Sequence, residues 1–172
     1  EGNIDYSPFA LTVINYIAEK YYKLYSVKVF GSFEKRKNFK KLSDRVKYHG
    51  RIDQNRIHKI FENSIYVALD INPACPNTVI EALASGIPVV GFNSGSMEEL
   101  VPEECGRLVS LNGLGLKVSV QDLERLVSNM DEILNNWKTF SNNARIFSER
   151  NYDINHMYNK YLKIIYSLLK KT

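Results

Sequence analysis

Between Ser64 and Phe92 the sequence runs strand, helix, strand with almost no residue to spare, and this limits what the chain can fold into. The run "SIYVALDI" (64–71) is apolar nearly throughout, as a strand covered on both faces must be. After a Pro-containing loop, "CPNTVIEALASG" opens a helix around Pro76–Thr78 and stops it at Gly86, a residue suited to a left-handed C-terminal turn. "IPVVGF" (87–92) begins a second buried strand at once. A crossover of this length joins parallel neighbours, since antiparallel ones need only a tight turn.

The alternation extends in both directions. Ser7-Pro8 reads as a helix start, followed at helical spacing by Phe9, Val13, Ile14, Ile17 and Tyr21. "VKVFGS" (27–32) and "RVKYHG" (45–50) read as strands, with a short helix from Phe33 to Leu42 between them. Asp53 caps a helix carrying Ile57, Ile60 and Phe61. Downstream, Ser96 caps a short helix over Met97–Val101, "GRLVS" (106–110) is a strand, and Ser119 caps a helix over Val120–Asn135. The remainder is helical with a break near Asn151–Asp153.

This order predicts an α/β fold, a Rossmann-like doubly wound parallel sheet with helices on both faces. Such a sheet opens on a strand and this chain opens on a helix, so the first strand is expected upstream of Glu1. We expect one domain over residues 1–172, with the sheet and its flanking helices in 1–150 and a closing helix over 153–171. The stripe of Tyr158, Tyr161, Ile164, Ile165 and Leu168 on that helix is expected to join the core.

Composition narrows the function classes. With 172 residues, 44% of them hydrophobic and 24% charged, the chain is long enough to bury a core without disulfides or metals. Two cysteines, Cys75 and Cys105, imply a reducing, cytoplasmic setting, and no Cys/His spacing makes a metal site. The net charge of +4 is uneven, with seven Lys/Arg between Lys35 and Lys47. No aromatics interleave with these in the manner of a single-strand stacking platform, which argues against nucleic acid. From the residues alone the segment is either a solvated face or a peripheral contact with an anionic membrane.

In open α/β sheets, ligands bind beyond the carboxyl ends of the strands, at helix N-termini. The sharpest such junction here is "LDINPACPNTVIEALASG". Asp70 ends a strand, and the first-turn amides of Asn77 and Thr78 offer an anion site suited to a diphosphate. Glu81 lies one turn further in, an acid among Val79, Ile80, Ala82 and Leu83. Two readings stand open on the residues alone. Either Glu81 faces water, or its carboxylate accepts hydrogen bonds from the vicinal hydroxyls of a ribose.

The run "ACPNTVIEALASGIPVVGFNSGSMEELV" resembles the donor-site segment of retaining GT-B glycosyltransferases, those of glycosyltransferase family four. The signature of that family is a pair of glutamates separated by seven residues, followed by an Ala/Gly-rich helix end and "PVV". Glu81 matches the second glutamate, and "SGSMEEL" is similar to the family's Gly-Gly-x-x-Glu loop, with Gly95 in place and Ser96 at the second glycine. The chain departs at the first glutamate, whose position holds Pro73. The Gly-Arg and Lys that grip the diphosphate in the family have no counterpart in "EGNIDYSPFALT".

The resemblance implies the C-terminal, donor-binding half of a GT-B enzyme, moving a sugar with retention from an NDP-sugar of UDP or GDP type to a glycan or lipid-linked acceptor. An N-terminal domain would bind that acceptor, and the enzyme would sit in the cytoplasm, peripheral to the membrane face. Glu81 and Asp70 become the candidate catalytic pair, with Asp70 standing in for the absent first glutamate. Asn77, Thr78, Gly31, Ser32, Gly50, Arg51 and Gly95 become candidate donor-binding residues, with no metal and no cofactor beyond the donor. Loss of the first glutamate leaves a second possibility, a binding module without transferase activity. Another Rossmann-type sugar-nucleotide enzyme is a third, opposed by the lack of a Gly-x-Gly-x-x-Gly.

Overall fold

The computed structural model describes residues 8–31, 42–53, 56, 60, 62–111 and 118–169. In chain order its elements are α1 (Pro8–Tyr21), β1 (Val27–Val29), β2 (Val46–Tyr48), β3 (Tyr66–Ala68), α2 (Asn77–Ala84), β4 (Val89–Phe92), α3 (Met97–Leu100), β5 (Gly106–Val109), α4 (Val120–Asn135), α5 (Trp137–Asn151) and α6 (Ile154–Leu169). The cap expected at Ser7, the helix over 33–41 and most of the helix after Asp53 lie outside the described residues.

The strands pair in parallel in two groups, β1-β2 and β3-β4-β5. A doubly wound sheet runs in the order 3-2-1-4-5-6. Among the described residues no ladder joins the two groups. The ladders are three or four residues long, shorter than the five- to eight-residue runs in the sequence.

The β3-β4-β5 sheet is covered on both faces. On one, Val90, Phe92 and Val109 pack with Phe9, Val13 and Ile17 of α1 and with Leu123, Leu126 and Met130 of α4. On the other, Ala68 and Val89 pack with Val79, Ala82 and Leu83 of α2, with Met97 and Leu100 of α3, and with Ala144 of α5. Alternation of Val89 and Val90 between the two clusters is the strand periodicity of a two-faced sheet. A third cluster places Ala10, Leu11 and Ile14 of α1 against Val29 and Val46.

Local chemistry sets the helix ends. Ser119 and Asp122 form a reciprocal capping box at the start of α4. Hydrogen bonds from Ser119, with Arg125 beside it, hold the Asp122 carboxyl below the usual carboxylate range. At the end of α2, Gly86 adopts φ +71 and a Cβ there would lie 3.4 Å from Ser141 O of α5, while Arg145 donates to Ala84 O at 2.5 Å. A cation there suits the negative end of the helix.

Two expectations are corrected. Ser96 does not cap α3 through its side chain; its Oγ is buried without a partner among the described residues. The backbone at Ser96 bends instead to serve the loop described below. Nor does the α6 stripe enter the core. Tyr158, Tyr161, Ile164, Ile165 and Leu168 are all exposed, and no residue of α6 is buried. The spacing shows that one face of the helix is apolar, but no described residues cover that face. No helix among the described residues is long and apolar enough to cross a membrane.

Candidate functional site

The site is built where β3 ends and α2 begins. Pro76 is the N-cap residue of α2, in extended conformation, and makes no side-chain capping bond. The first turn holds no acid. Among the described residues no side chain caps the Asn77 and Thr78 amides, while Val79 N is already engaged by Pro76 O at 3.0 Å. Asn77 and Thr78 are both exposed.

The loop before α2 is fixed by the loop after β4. Asn72 takes a left-handed conformation at φ +50 and donates its amide to Ser94 Oγ at 3.3 Å. Ser96 N donates to Pro73 O at 2.9 Å. Gly95 has φ +56, and a Cβ there would lie 2.3 Å from Pro73 O, so the two loops touch backbone to backbone. Pro73, which stands where the family pattern has an acid, is thus a contact point for Gly95 and Ser96.

Glu81 is half-buried, and no described residue hydrogen-bonds or pairs with its carboxylate. Asp70 is exposed as a residue, yet partial desolvation of its carboxyl raises its pKa. Both carboxylates act on one group, the Tyr66 hydroxyl, which donates to Thr78 Oγ1 at 3.0 Å. Burial pushes the Tyr66 phenol up to about 12; the Thr78 hydrogen bond opposes it, and the charges of Asp70 and then Glu81 add smaller upward effects. The structure therefore brings Asp70, Thr78 and Glu81 together around Tyr66. Sequence reading passed over that residue as one more apolar strand position.

The other candidates form a group of their own at the ends of β1 and β2. Gly31 N donates to Gly50 O at 2.9 Å, and Gly31 O accepts from Tyr48 Oη at 2.6 Å. Gly50 has φ +71, and Arg51 beside it is exposed. Ser32 lies outside the described residues. Among the described residues no group of three or more His, Cys, Asp or Glu side chains could hold a metal ion.

The structure is an α/β fold of parallel strands flanked by helices, with a helix start that lacks a side-chain cap beyond the end of β3. The chain belongs to the family of group 1 glycosyl transferases, whose model matches residues 4–136. It is 29% identical over 151 residues to an uncharacterized glycosyltransferase of Haemophilus influenzae, covering 82% of this chain and 40% of that protein. In structure it is similar to the pneumococcal O-GlcNAc transferase GtfA, solved in complex with UDP and GlcNAc, with TM-score 0.72 and 15% identity over 92% of this chain and 32% of that one. It is also similar to a sucrose-phosphate synthase from Thermosynechococcus elongatus, with TM-score 0.68 and 20% identity over 95% of this chain and 44% of that one. At these identities the structural likeness carries the GT-B fold alone. The chain spans less than half the length of each of these proteins.

Proposed function

We propose that residues 1–172 form the donor-binding domain of a glycosyltransferase, holding an NDP-sugar of UDP or GDP type for retaining transfer to a glycan or lipid-linked acceptor. The observation that carries this reading is the start of α2, where amides without a side-chain cap lie beyond the end of β3 and a half-buried Glu81, whose carboxylate pairs with no described residue, lies one turn behind them. Amides and the helix dipole suit the diphosphate, and the carboxylate suits the ribose hydroxyls. Family membership supports it, and the GtfA relative was solved with UDP. Chemistry of this kind asks the protein for positioning and for stabilisation of the leaving diphosphate. The acceptor wall belongs to another part of the protein, so the 172-residue chain alone is expected to bind donor without transferring sugar.

Thermal denaturation against a panel of nucleotides tests the reading. A ligand at a hundredfold excess over its Kd adds about 2.7 kcal/mol to the folded state. UDP or GDP is expected to raise the Tm of the wild type and not of Glu81→Ala. A folded wild type unmoved by millimolar nucleotide contradicts the reading.

Pro73 favours a second reading, binding without transfer, because the position that holds an acid in the family pattern is here occupied by a loop contact. Full-length protein that binds the donor but neither transfers nor hydrolyses it would establish this alternative.

We further propose that the Lys35–Lys47 segment holds the cytoplasmic enzyme against an anionic membrane face. Its described part shows that not every charge is available. Arg45 pairs with Glu19 and sits 3.8 Å from the Tyr22 ring centroid, whereas Lys47 is exposed on β2; residues 35–41 lie outside the described residues. Each remaining cation near such a surface contributes about 1 kcal/mol, fading as salt shortens the Debye length. Co-sedimentation is expected with anionic vesicles at low salt, to weaken at physiological salt, and to be absent with neutral vesicles. Equal pelleting with both kinds of vesicle contradicts the proposal.

A further inference from the structure

We propose that the Tyr66 hydroxyl is a positioning group of the donor site, fixing the Thr78 hydroxyl so that its hydrogen points to a diphosphate at the start of α2. The inference rests on the donor-site reading above. Tyr66 opens β3 opposite Val89, with its ring against the cluster that contains Val79 and Leu83 of α2. A ring packed in this way needs a partner for its hydroxyl. That partner is a side chain of the helix start, Thr78 Oγ1 at 3.0 Å.

The direction of this bond matters. The phenol is the donor in it, Tyr66 Oη to Thr78 Oγ1. Thr78 Oγ1 therefore accepts from the sheet side, and its own hydrogen is available on the exposed side, where the Asn77 and Thr78 amides also lie. Hydrogen bonds in series polarise one another, so the Thr78 hydroxyl becomes a stronger and better oriented donor to an anion than a free rotor would be. Phenylalanine would fill the same space in the cluster, so the hydroxyl is the part of Tyr66 that the packing does not require.

The test uses full-length protein and titrations with UDP, GDP and the corresponding nucleosides, with Tyr66→Phe, Thr78→Val, the double variant and Glu81→Ala. Tyr66→Phe is expected to weaken diphosphate binding about five- to tenfold while changing nucleoside binding less than about twofold. Thr78→Val, which removes the hydroxyl at an exposed position, should give a similar loss, and the double variant no more than the larger single loss. A purely structural hydroxyl would move both ligand classes together. Wild-type diphosphate affinity in Tyr66→Phe, or equal loss for diphosphate and nucleoside, overturns the proposal. If Glu81→Ala still weakens binding at least about tenfold in that case, the donor-site reading stands. A wild type that binds no nucleotide overturns both.

Discussion

Glu81→Ala is expected to weaken UDP or GDP binding about 10- to 100-fold, the loss of a charged acceptor shared by two hydroxyls. The same substitution should leave the Tm of the unliganded protein unchanged or slightly higher. Glu81 makes no hydrogen bond or ion pair through its carboxylate with any described residue, and it lies near a second carboxylate, Asp70, through their shared neighbour Tyr66. Its removal breaks no hydrogen bond or ion pair with a described residue, and alanine is the better helix former at the centre of α2. Groups kept for a ligand at some cost to the fold show this separation of stability from binding. Glu81→Gln should fall between, because an amide retains one acceptor oxygen without the charge. Parallel loss of Tm and affinity in Glu81→Ala would make Glu81 a structural residue.

The second large effect is on stability, at Gly95. Gly95→Val is expected to cost about 2 to 5 kcal/mol, the sum of a left-handed backbone forced on a β-branched residue and a contact that cannot be relieved within its own side chain. For a chain of this size that corresponds to a drop in Tm of about 5 to 15 °C. The neighbour that a Cβ would meet is backbone, Pro73 O at 2.3 Å and Pro73 N at 2.7 Å, so relief requires the two loops to part. Parting them moves the segment that leads into α2, and nucleotide affinity should fall with stability. Gly50 supplies the control. Its φ of +71 is as demanding, but a Cβ there meets nothing within 4 Å. Gly50→Ala should cost about 1 kcal/mol, the backbone penalty alone. Equal Tm shifts for the two variants, measured side by side, would contradict the interlocked loops.

Much of this was legible in the sequence because it is local. Ser119 and Asp122 mark the start of α4 by side chain-to-backbone bonds three residues apart, and the helix covers the expected Val120–Asn135. Gly86 marks the end of α2 by its own φ. The parallel sheet followed from the spacing of apolar runs, and the place of Thr78 and Glu81 in the first turns of α2 from their distance to the helix start. What sequence reading missed depends on contacts between distant residues. Tyr66 is an ordinary strand residue until β3 and α2 are packed and its hydroxyl meets Thr78. Pro73 is merely an absent acid until Gly95 and Ser96 close on it. The apolar face of α6 was assigned to the core because periodicity reports which face seeks cover, and it carries no information about what provides it.

The central claim is that a nucleotide diphosphate binds at the start of α2. Amide chemical-shift mapping of the chain during titration with UDP and GDP tests it most directly. One of the two is expected to give a saturable response, with the largest shifts at the Asn77 and Thr78 amides and smaller ones along Asp70–Pro73 and at Gly95. No saturable response to either nucleotide, or shifts confined to residues away from the start of α2, would contradict the account.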